Sequence, residues 1–195
     1  MEQELLIWVD KEDRAVGYGT KLETHRLEKL HRAYSVFIYD NSTKKMLLQK
    51  RANGKYHSGG LWSNACCSHP YKDESWLDAI SRGLKNELRI EPFKDADSAD
   101  FQGHSAKSPM LRHAGSFYYY SRYAELSEHE IDHVFLLQAD GELLAGLDPN
   151  PDEVEKLRLM SLDEIDAMLL SSPDAFTSWF RQAYRLAKAE AKALG

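Results

Sequence analysis

The amino-acid sequence predicts an α/β or α+β sandwich in which a mixed β-sheet carries helices on its faces. Two observations lead to this prediction. Short β-rich runs alternate with helical patterns along the chain, and no linker or internal repeat divides its 195 residues. A single domain, residues 1–195, fits this length, because a chain of this size buries roughly two-thirds of the surface that its unfolded form exposes.

The first half of the chain is predicted to contain a hairpin, a short strand and a helix. Residues 34–51 form two β-rich runs around the turn-forming pentapeptide NSTKK, which is typical of a hairpin. Residues 61–70 are flanked by glycines and end at a proline, which indicates a strand that enters a loop. Residues 74–90 carry leucine and isoleucine at helical spacing, so we expect an amphipathic helix there.

The second half begins with an irregular stretch and then returns to strands and helices. We expect residues 91–115 to be a long irregular segment, followed by β-rich runs at 117–123 and 132–137. Residues 154–160 are predicted to form a further strand. The sequence from Ser161 to Glu164 is a capping box that opens a helix, and a last helix is predicted from about 175 to 193.

The composition argues against several classes of function. The chain holds 25 Lys and Arg against 31 Asp and Glu, a formal net charge of −6, and its isoelectric point is near 5.8. Nucleic acid or an anionic membrane would therefore meet a mostly repulsive surface. The mean hydropathy is −0.56, and no apolar run approaches the roughly 20 residues of a membrane helix.

The start of the chain and its cysteines indicate a cytoplasmic protein. The residues from Met1 to Glu4 lack the positive region and apolar stretch of a signal peptide. The two cysteines, Cys66 and Cys67, are adjacent, and a disulfide between neighbours is too strained to act as a staple. We therefore expect two free thiols in a reducing compartment.

The segment from Glu128 to Asp132 is an informative polar run. In a strand, Glu128, Glu130 and Asp132 lie on one face, whereas His129 and Ile131 lie on the other. Three carboxylates on one face repel one another. The segment is therefore either a solvated edge strand or part of a cation site.

Histidines elsewhere in the chain extend the cation hypothesis. His25 and His31 lie close together in sequence, and His69 follows Cys67. Taken alone, each is more often an ordinary surface or core histidine. Three imidazoles and two carboxylates together would suit Zn²⁺, Mn²⁺ or Mg²⁺, although spacing alone does not bring these segments together.

One carboxylate and a set of basic residues complete the candidates. Glu87 lies at the flank of the apolar stripe of the predicted helix and needs a partner there, either a basic side chain or a metal ion. Lys21, Lys50, Arg51 and Lys55 form a basic set in an acidic protein, which would either bind a phosphate or be solvated. From the residues alone, the sequence indicates a metalloprotein with a candidate anion site.

Five segments of the chain, in their order, resemble one enzyme family. They are Lys21 with His25, LHRAYSVFIYD at 30–40, LLQKRANGKYHSGGLWSNACCSHP at 47–70, EHEIDHVF at 128–135 and AFTSWF at 175–180. In this combination the chain resembles the type I isopentenyl-diphosphate isomerases, Nudix-fold enzymes of isoprenoid biosynthesis that interconvert isopentenyl and dimethylallyl diphosphate. The resemblance implies a Nudix-like sandwich and a small prenyl diphosphate as substrate. We expect a monomer or a weak homodimer.

The resemblance extends to a degenerate Nudix box, whose frame includes Glu74 and Arg82. In Nudix hydrolases, carboxylates of this box hold the Mg²⁺ that activates water. Gly83 and Asn86 replace two of them here and Glu87 remains, which counts against hydrolysis. Gly83 also stands where many isomerases carry a second arginine. A diphosphate hydrolase and a non-catalytic metal-binding module are the alternative functions.

The resemblance also implies roles for individual residues. Glu130 with Tyr119, or with Tyr120 in its place, would deliver a proton and Cys67 would remove one, although these two roles are interchangeable. Moving the double bond creates a tertiary carbocation, which the ring face of Trp179 would stabilise. The other implied roles are a site for Mn²⁺, Mg²⁺ or Zn²⁺ at His25, His31, His69, Glu128 and Glu130, a Mg²⁺ that ties Glu87 to the substrate, and diphosphate contacts by Lys21, Arg51, Lys55 and Arg82.

Overall fold

The computed structural model describes residues 4–55, 57–93, 111–139 and 141–194. Within these ranges the chain forms nine strands and five α-helices. The strands are β1 (Leu5–Val9), β2 (Ala15–Thr20), β3 (His31–Asp40), β4 (Lys45–Arg51), β5 (Trp62–Ser63), β6 (Cys66–Ser68), β7 (Leu111–Tyr123), β8 (Leu126–Ala139) and β9 (Val154–Ser161). The helices are α1 (Lys21–Arg26), α2 (Trp76–Leu88), α3 (Gly141–Ala145), α4 (Leu162–Ser171) and α5 (Phe180–Ala193).

Strand β3 organises the sheet. Along one side it pairs in parallel with β8 over its whole length, and β7 then pairs with β8. Along the other side, β1, β6 and β4 pair antiparallel with its beginning, middle and end. β5 and β9 flank β4. The sheet is therefore mixed, as the sequence predicts.

Strand alternation gives the sheet two apolar faces. Tyr34, Val36 and Ile38 of β3 pack in one core cluster with the apolar side of α2. Phe37 and Tyr39 point the opposite way and pack in a second cluster with α4 and α5. Helices thus cover both faces of the described sheet, which confirms the predicted sandwich.

Most predicted elements are confirmed. β3 and β4 form the hairpin of residues 34–51, β5 and β6 occupy the segment 61–70, and α2 begins after the N-cap Ser75. β9 precedes α4, where the Ser161 hydroxyl and the Glu164 carboxylate make the reciprocal bonds of a capping box.

No helix in the described ranges is long and apolar enough to cross a membrane.

Two expectations are wrong, and one of two open alternatives is excluded. β7 begins at Leu111, so the end of the predicted irregular stretch 91–115 is strand; residues 94–110 lie outside the described ones. The last helix begins at Phe180, because Pro173–Ala175 form a 3₁₀ turn and Phe176 bridges Trp62 in the sheet. Residues 128–132 are not in an edge strand, because β8 lies between β3 and β7.

The sequence motifs did not predict the N-terminal hairpin β1–β2 or helix α1. The Trp8 ring on β1 lies across Gly17 of β2, where a Cβ would come within 2.9 Å of Cε3. Its indole N–H donates to Thr24 Oγ1 of α1 over 2.8 Å. Trp8 therefore holds α1 against the hairpin, and α1 carries His25.

Candidate active site and metal centre

A buried cluster of three histidines and two glutamates lies where α1, β3, β8 and the end of β6 meet. Each side chain offers one ligand atom, and these atoms all lie within 4.8 Å of one another. We call this group the His/Glu cluster; its members are His25, His31, His69, Glu128 and Glu130.

Backbone contacts orient two of the histidines. His25 Nδ1 lies 2.6 Å from the Lys21 carbonyl, and His31 Nδ1 lies 2.7 Å from the Lys29 carbonyl. A carbonyl only accepts a hydrogen bond, so Nδ1 carries the proton in both rings and the lone pair of Nε2 faces the cluster. This arrangement is typical of histidines that bind metal ions.

Several atoms of the His/Glu cluster have unused bonding capacity. Among the described residues, His25 Nε2, His31 Nε2 and Glu128 Oε2 are buried and have no hydrogen-bond partner. Burial of a polar atom without a partner is costly, so native proteins rarely leave three together. A divalent cation between them would satisfy all three, and imidazole with carboxylate suits Mn²⁺ or Zn²⁺ as well as Mg²⁺. The residues present therefore fit a metal ion.

A cavity opens beside the His/Glu cluster and brings together most of the predicted site residues. Its lining is polar and carries both signs of charge. The lining includes Lys21, Arg51, Lys55, His57, Cys67, His69, Tyr119, Glu128, Glu130, Asp132 and Trp179.

Three basic residues form one part of the lining. The Arg51 guanidinium is 5.5 Å from the centre of the Trp179 ring, and its Nε has no hydrogen-bond partner within the described part of the chain. Lys55 forms an ion pair with Glu153. Burial lowers the pKa of Lys21 from its usual value, and the nearby Glu128 opposes this shift. A bound anion would complement these groups.

The two cysteines of β6 face opposite ways, as strand alternation predicts. Cys67 lines the cavity, whereas Cys66 is fully buried in the core beside α2. Burial, together with the Glu87 carboxylate, raises the pKa of Cys67 to about 12. Cys67 is therefore a neutral thiol near pH 7, although the nearby Arg51 charge opposes the shift.

Glu130 and Tyr119 face each other across β8 and β7. Burial opposes ionisation of Glu130, but the nearby His31, Glu128 and Tyr119 side chains outweigh it and lower the pKa to about 2. Burial and the Glu130 charge raise the pKa of Tyr119 well above its usual value. Tyr120 alternates to the outer face, is 45% exposed and donates to Glu28. Tyr119, and not Tyr120, is thus the tyrosine at the cavity.

Asn64 is a site residue that the sequence motifs did not single out. It is fully buried between β5 and β6, and its Oδ1 accepts from the Trp179 indole N–H over 3.1 Å. The same oxygen lies 3.6 Å from Cys67 Sγ and 3.0 Å from Ser63 Oγ. The Asn64 side-chain amide therefore contacts both the Cys67 thiol and the Trp179 ring. Its signal in the sequence is a polar residue between two short strands.

Asp132 is the third carboxylate of the predicted polar face and lies deeper than the other two. It is buried and accepts from Ser35 Oγ over 2.7 Å. Burial, with the nearby charge of Glu130, raises the pKa of Asp132 well above its usual value. Asp132 therefore lines the cavity with a carboxyl group whose ionisation is disfavoured by burial and by the Glu130 charge.

Glu87 lies behind the cavity wall. Its carboxylate accepts from Gln49 Nε2 over 2.8 Å and from the Cys66 thiol over 3.4 Å. Burial raises its pKa, and the Gln49 hydrogen bond opposes that shift. Of the two alternatives in the sequence analysis, a salt bridge to a basic residue is not among the interactions of Glu87 in the described part of the chain.

Arg82 is not among the residues that line this cavity, so its expected contact with diphosphate stays a prediction. Its guanidinium binds Glu74 over 2.8 Å and donates to the His69 carbonyl over 2.8 Å. It also lies over the Tyr71 ring, 3.9 Å from the ring centre. The Glu74–Arg82 pair of the degenerate Nudix box therefore supports the backbone that presents His69.

Gly83 lies where α2 packs against β3 and β6. A Cβ at this position would overlap the Tyr34 hydroxyl and come within 2.9 Å of Cys66 Sγ. The Tyr34 hydroxyl is itself held by the Ala79 carbonyl at 2.5 Å. Neither the carboxylate of a Nudix hydrolase nor an arginine fits here without displacing these described neighbours.

Comparisons with known proteins show the family of this chain. The NUDIX domain model matches residues 29–180. Isopentenyl-diphosphate Delta-isomerase 2 of Aromatoleum aromaticum is 37% identical over 180 residues, which cover 92% of this chain and 83% of that protein. Isopentenyl-diphosphate Delta-isomerase of Photobacterium profundum is 38% identical over 183 residues and 92% of each chain.

Solved structures share the fold at much lower sequence identity. The crystal structure of DR0079 from Deinococcus radiodurans has a TM-score of 0.67 and is 16% identical over 95% of this chain and 98% of that chain. The MutT protein from Methanosarcina mazei Go1 has a TM-score of 0.56, with 16% identity over 84% of this chain and 96% of that chain. These likenesses concern the fold alone.

Proposed function

The chain belongs to the isopentenyl-diphosphate Delta-isomerase family of NUDIX-domain proteins, and on that premise we propose that it converts isopentenyl diphosphate into dimethylallyl diphosphate for isoprenoid biosynthesis. One observation carries the proposal. A neutral thiol, an ionised carboxylate and an aromatic ring line a single cavity that also has basic residues and adjoins a candidate cation site. Moving a double bond in a diphosphate ester needs this combination of groups.

The basic residues of the cavity bind the diphosphate. Arg51, Lys21 and Lys55 supply positive charge, and Arg51 Nε is a buried donor without a partner among the described residues. Lys55 either leaves Glu153 to contact the substrate or contacts both groups at once. Glu87, which interacts electrostatically with Lys55 and Arg51, would hold a Mg²⁺ that accompanies the diphosphate.

A thiol and a carboxylate handle the protons. The reaction adds a proton to the terminal alkene carbon and removes one from the carbon next to the oxygen-bearing CH₂ group. Burial keeps Cys67 protonated, whereas Glu130 is ionised. These ionisation states favour Cys67 as the proton donor and Glu130, beside Tyr119, as the acceptor. This assignment reverses the one preferred from the sequence.

Trp179 protects the intermediate. Protonation of the alkene leaves a tertiary carbocation, which water would trap as an alcohol. The buried Trp179 ring presents a π-face to developing positive charge, and its indole N–H is held by Asn64. The ring therefore stabilises the cation in a fixed orientation and excludes water.

The His/Glu cluster would hold a divalent cation, Mn²⁺, Mg²⁺ or Zn²⁺, which would supply positive charge beside Glu130. Its ligands are His25, His31, His69, Glu128 and Glu130. The protein acts in the cytoplasm as a single domain, residues 1–195, and as a monomer or weak homodimer. The two free thiols of β6 suit a reducing compartment.

Product analysis tests the proposed function. The purified protein is incubated with isopentenyl diphosphate and Mg²⁺, and products are followed by ³¹P and ¹H NMR. We expect dimethylallyl diphosphate with the diphosphate intact. Release of orthophosphate or pyrophosphate would identify a hydrolase, and unchanged substrate would identify a non-catalytic metal-binding module.

A further inference from the structure

A histidine outside the His/Glu cluster contacts one of its members. We propose that His57 is a positioning residue for cation binding, which holds the Glu128 carboxylate so that one oxygen faces the ion. The inference rests on the proposed function only in using the same cation site. His57 lies in the segment between β4 and β5 and lines the cavity.

The two oxygens of Glu128 have different surroundings. His57 Nε2 lies 2.6 Å from Oε1. Because a carboxylate only accepts, the imidazole N–H donates to it. Oε2 lies 3.2 Å from His25 Nε2 and has no hydrogen-bond partner in the described part of the chain. One oxygen is thus held by the protein, and the other remains open to an ion.

His57 is itself held in place by three further side chains. Its ring stacks on Tyr123 with centres 4.5 Å apart and planes at 17°. Its Nδ1 is 3.1 Å from Ser58 Oγ, and the Trp179 ring meets it edge-on at 6.0 Å. The imidazole is therefore fixed by packing before an ion binds.

Holding Glu128 in advance strengthens cation binding. A free glutamate side chain has several rotamers, and ordering it on binding costs conformational entropy. Donors that orient a ligand carboxylate typically change metal affinity 10- to 100-fold when they are removed. The tight contact at Oε1 makes His57 such a donor for this cluster.

Mn²⁺ binding to the full-length chain tests this inference without substrate. The protein is stripped with a chelator, and free Mn²⁺ is measured by electron paramagnetic resonance during titration. His57→Phe keeps a ring to stack on Tyr123 but removes the donor, so we expect the Kd for Mn²⁺ to rise about 10- to 100-fold. His57→Gln retains a donor and should recover part of the affinity.

His129→Phe is the matched control. His129 is the chain neighbour of Glu128 and Glu130, but its ring points to the outer face, where Nδ1 contacts the Glu28 carbonyl at 2.7 Å. The same substitution there should leave the Kd unchanged. In a Glu128→Gln background, His57→Phe should add little further loss, because its partner has already changed.

Several results would overturn the inference. They are absence of Mn²⁺ binding in the wild type, an unchanged Kd in His57→Phe, an equal loss in His129→Phe, and a full additional loss in the Glu128→Gln background. If His57→Phe does not fold, His57→Ala and His57→Gln decide the question: tighter binding by Gln supports the inference and equal binding overturns it. Loss of the proposed isomerisation with normal Mn²⁺ binding would contradict the proposed function alone.

Discussion

Two adjacent cysteine side chains have different surroundings because β6 turns them to opposite faces. Cys66 Sγ contacts Glu87 and packs among core residues beside α2. Cys67 Sγ faces the cavity near Ser63 and Asn64. The pair therefore offers two matched substitutions, one in the core and one at the proposed reacting centre.

Cys67→Ala should leave the fold and Mn²⁺ binding intact but remove nearly all turnover, because the described lining holds no second thiol to exchange the proton. Cys66→Ala should cost roughly 1 kcal/mol of stability, as is usual for a small core truncation, and little activity. Thermal unfolding and kcat measure the two effects. Near wild-type turnover in Cys67→Ala, or loss of turnover only in Cys66→Ala, would contradict the assignment.

The role of Trp179 is tested by the kinetic constant that changes. If its ring stabilises a carbocation, the interaction exists mainly after charge has developed, so Trp179→Leu should lower kcat more than it changes KM. A desolvated cation–π contact of about 2 kcal/mol corresponds to roughly 30-fold in kcat. Trp179→Phe keeps a ring and loses the bond to Asn64 Oδ1, so it should retain part of the rate. Unchanged kcat in a folded Leu variant would reduce Trp179 to a packing residue.

At the scale of elements, α2 carries the remnant of the Nudix box and packs closely on the sheet. Its N-cap is Ser75, and its last residue precedes Arg89 in the left-handed conformation. At Gly83 the helix lies close to β3 and β6, since a Cβ there would meet the Tyr34 hydroxyl and Cys66 Sγ. Close packing, and not backbone conformation, explains why glycine occupies this position.

Gly83→Ala should therefore destabilise the protein. Alanine in a helix interior gains about 1 kcal/mol over glycine, but overpacking a close-packed core costs about 1–3 kcal/mol, so we expect a net loss. Gly141→Ala is the control, because a Cβ there meets no described atom within 4 Å. Urea unfolding measures both. A Gly83→Ala variant more stable than the wild type would show that the Tyr34 hydroxyl can move at no cost.

Most described elements were predictable because local signals and tertiary packing agree in them. Three local signals predict their elements from neighbouring residues alone. They are the NSTKK turn, the Ser161 capping box and the apolar stripe of α2. The β1–β2 hairpin was not predicted, because its glycines matter only through contact with Trp8. The sequence places the start of the last helix too early, because Phe176 has an extended backbone and bridges Trp62. Long-range contacts decide such boundaries.

At the scale of the whole molecule, the sheet gathers a cation site from distant parts of the chain. α1 supplies His25, β3 supplies His31, the end of β6 leads to His69, and β8 supplies both glutamates. Strand alternation predicted the carboxylate face of β8, and resemblance predicted the five members. Asn64 and His57 could not be found in this way, because their roles follow from the three-dimensional packing of neighbouring segments.

Removal of metal should abolish turnover and lower the unfolding temperature. An ion that binds the native state stabilises it by mass action, by about 2.7 kcal/mol at a concentration 100-fold above Kd. Here the ion would also join α1 to the central sheet. Differential scanning calorimetry before and after chelation, and after Mn²⁺ is restored, measures the change. Full turnover by metal-free protein would show that the reaction does not need an ion in the His/Glu cluster.

Isotope incorporation tests the central claim, that one cavity both adds and removes a proton. The enzyme is incubated with isopentenyl diphosphate in D₂O and the product is analysed by ¹H and ²H NMR. A solvent-exchanged enzyme group delivers the new proton, so dimethylallyl diphosphate should carry deuterium in one methyl group. Dimethylallyl diphosphate formed without deuterium would indicate direct hydrogen migration within the substrate, and release of phosphate would indicate hydrolysis; either result would contradict the account.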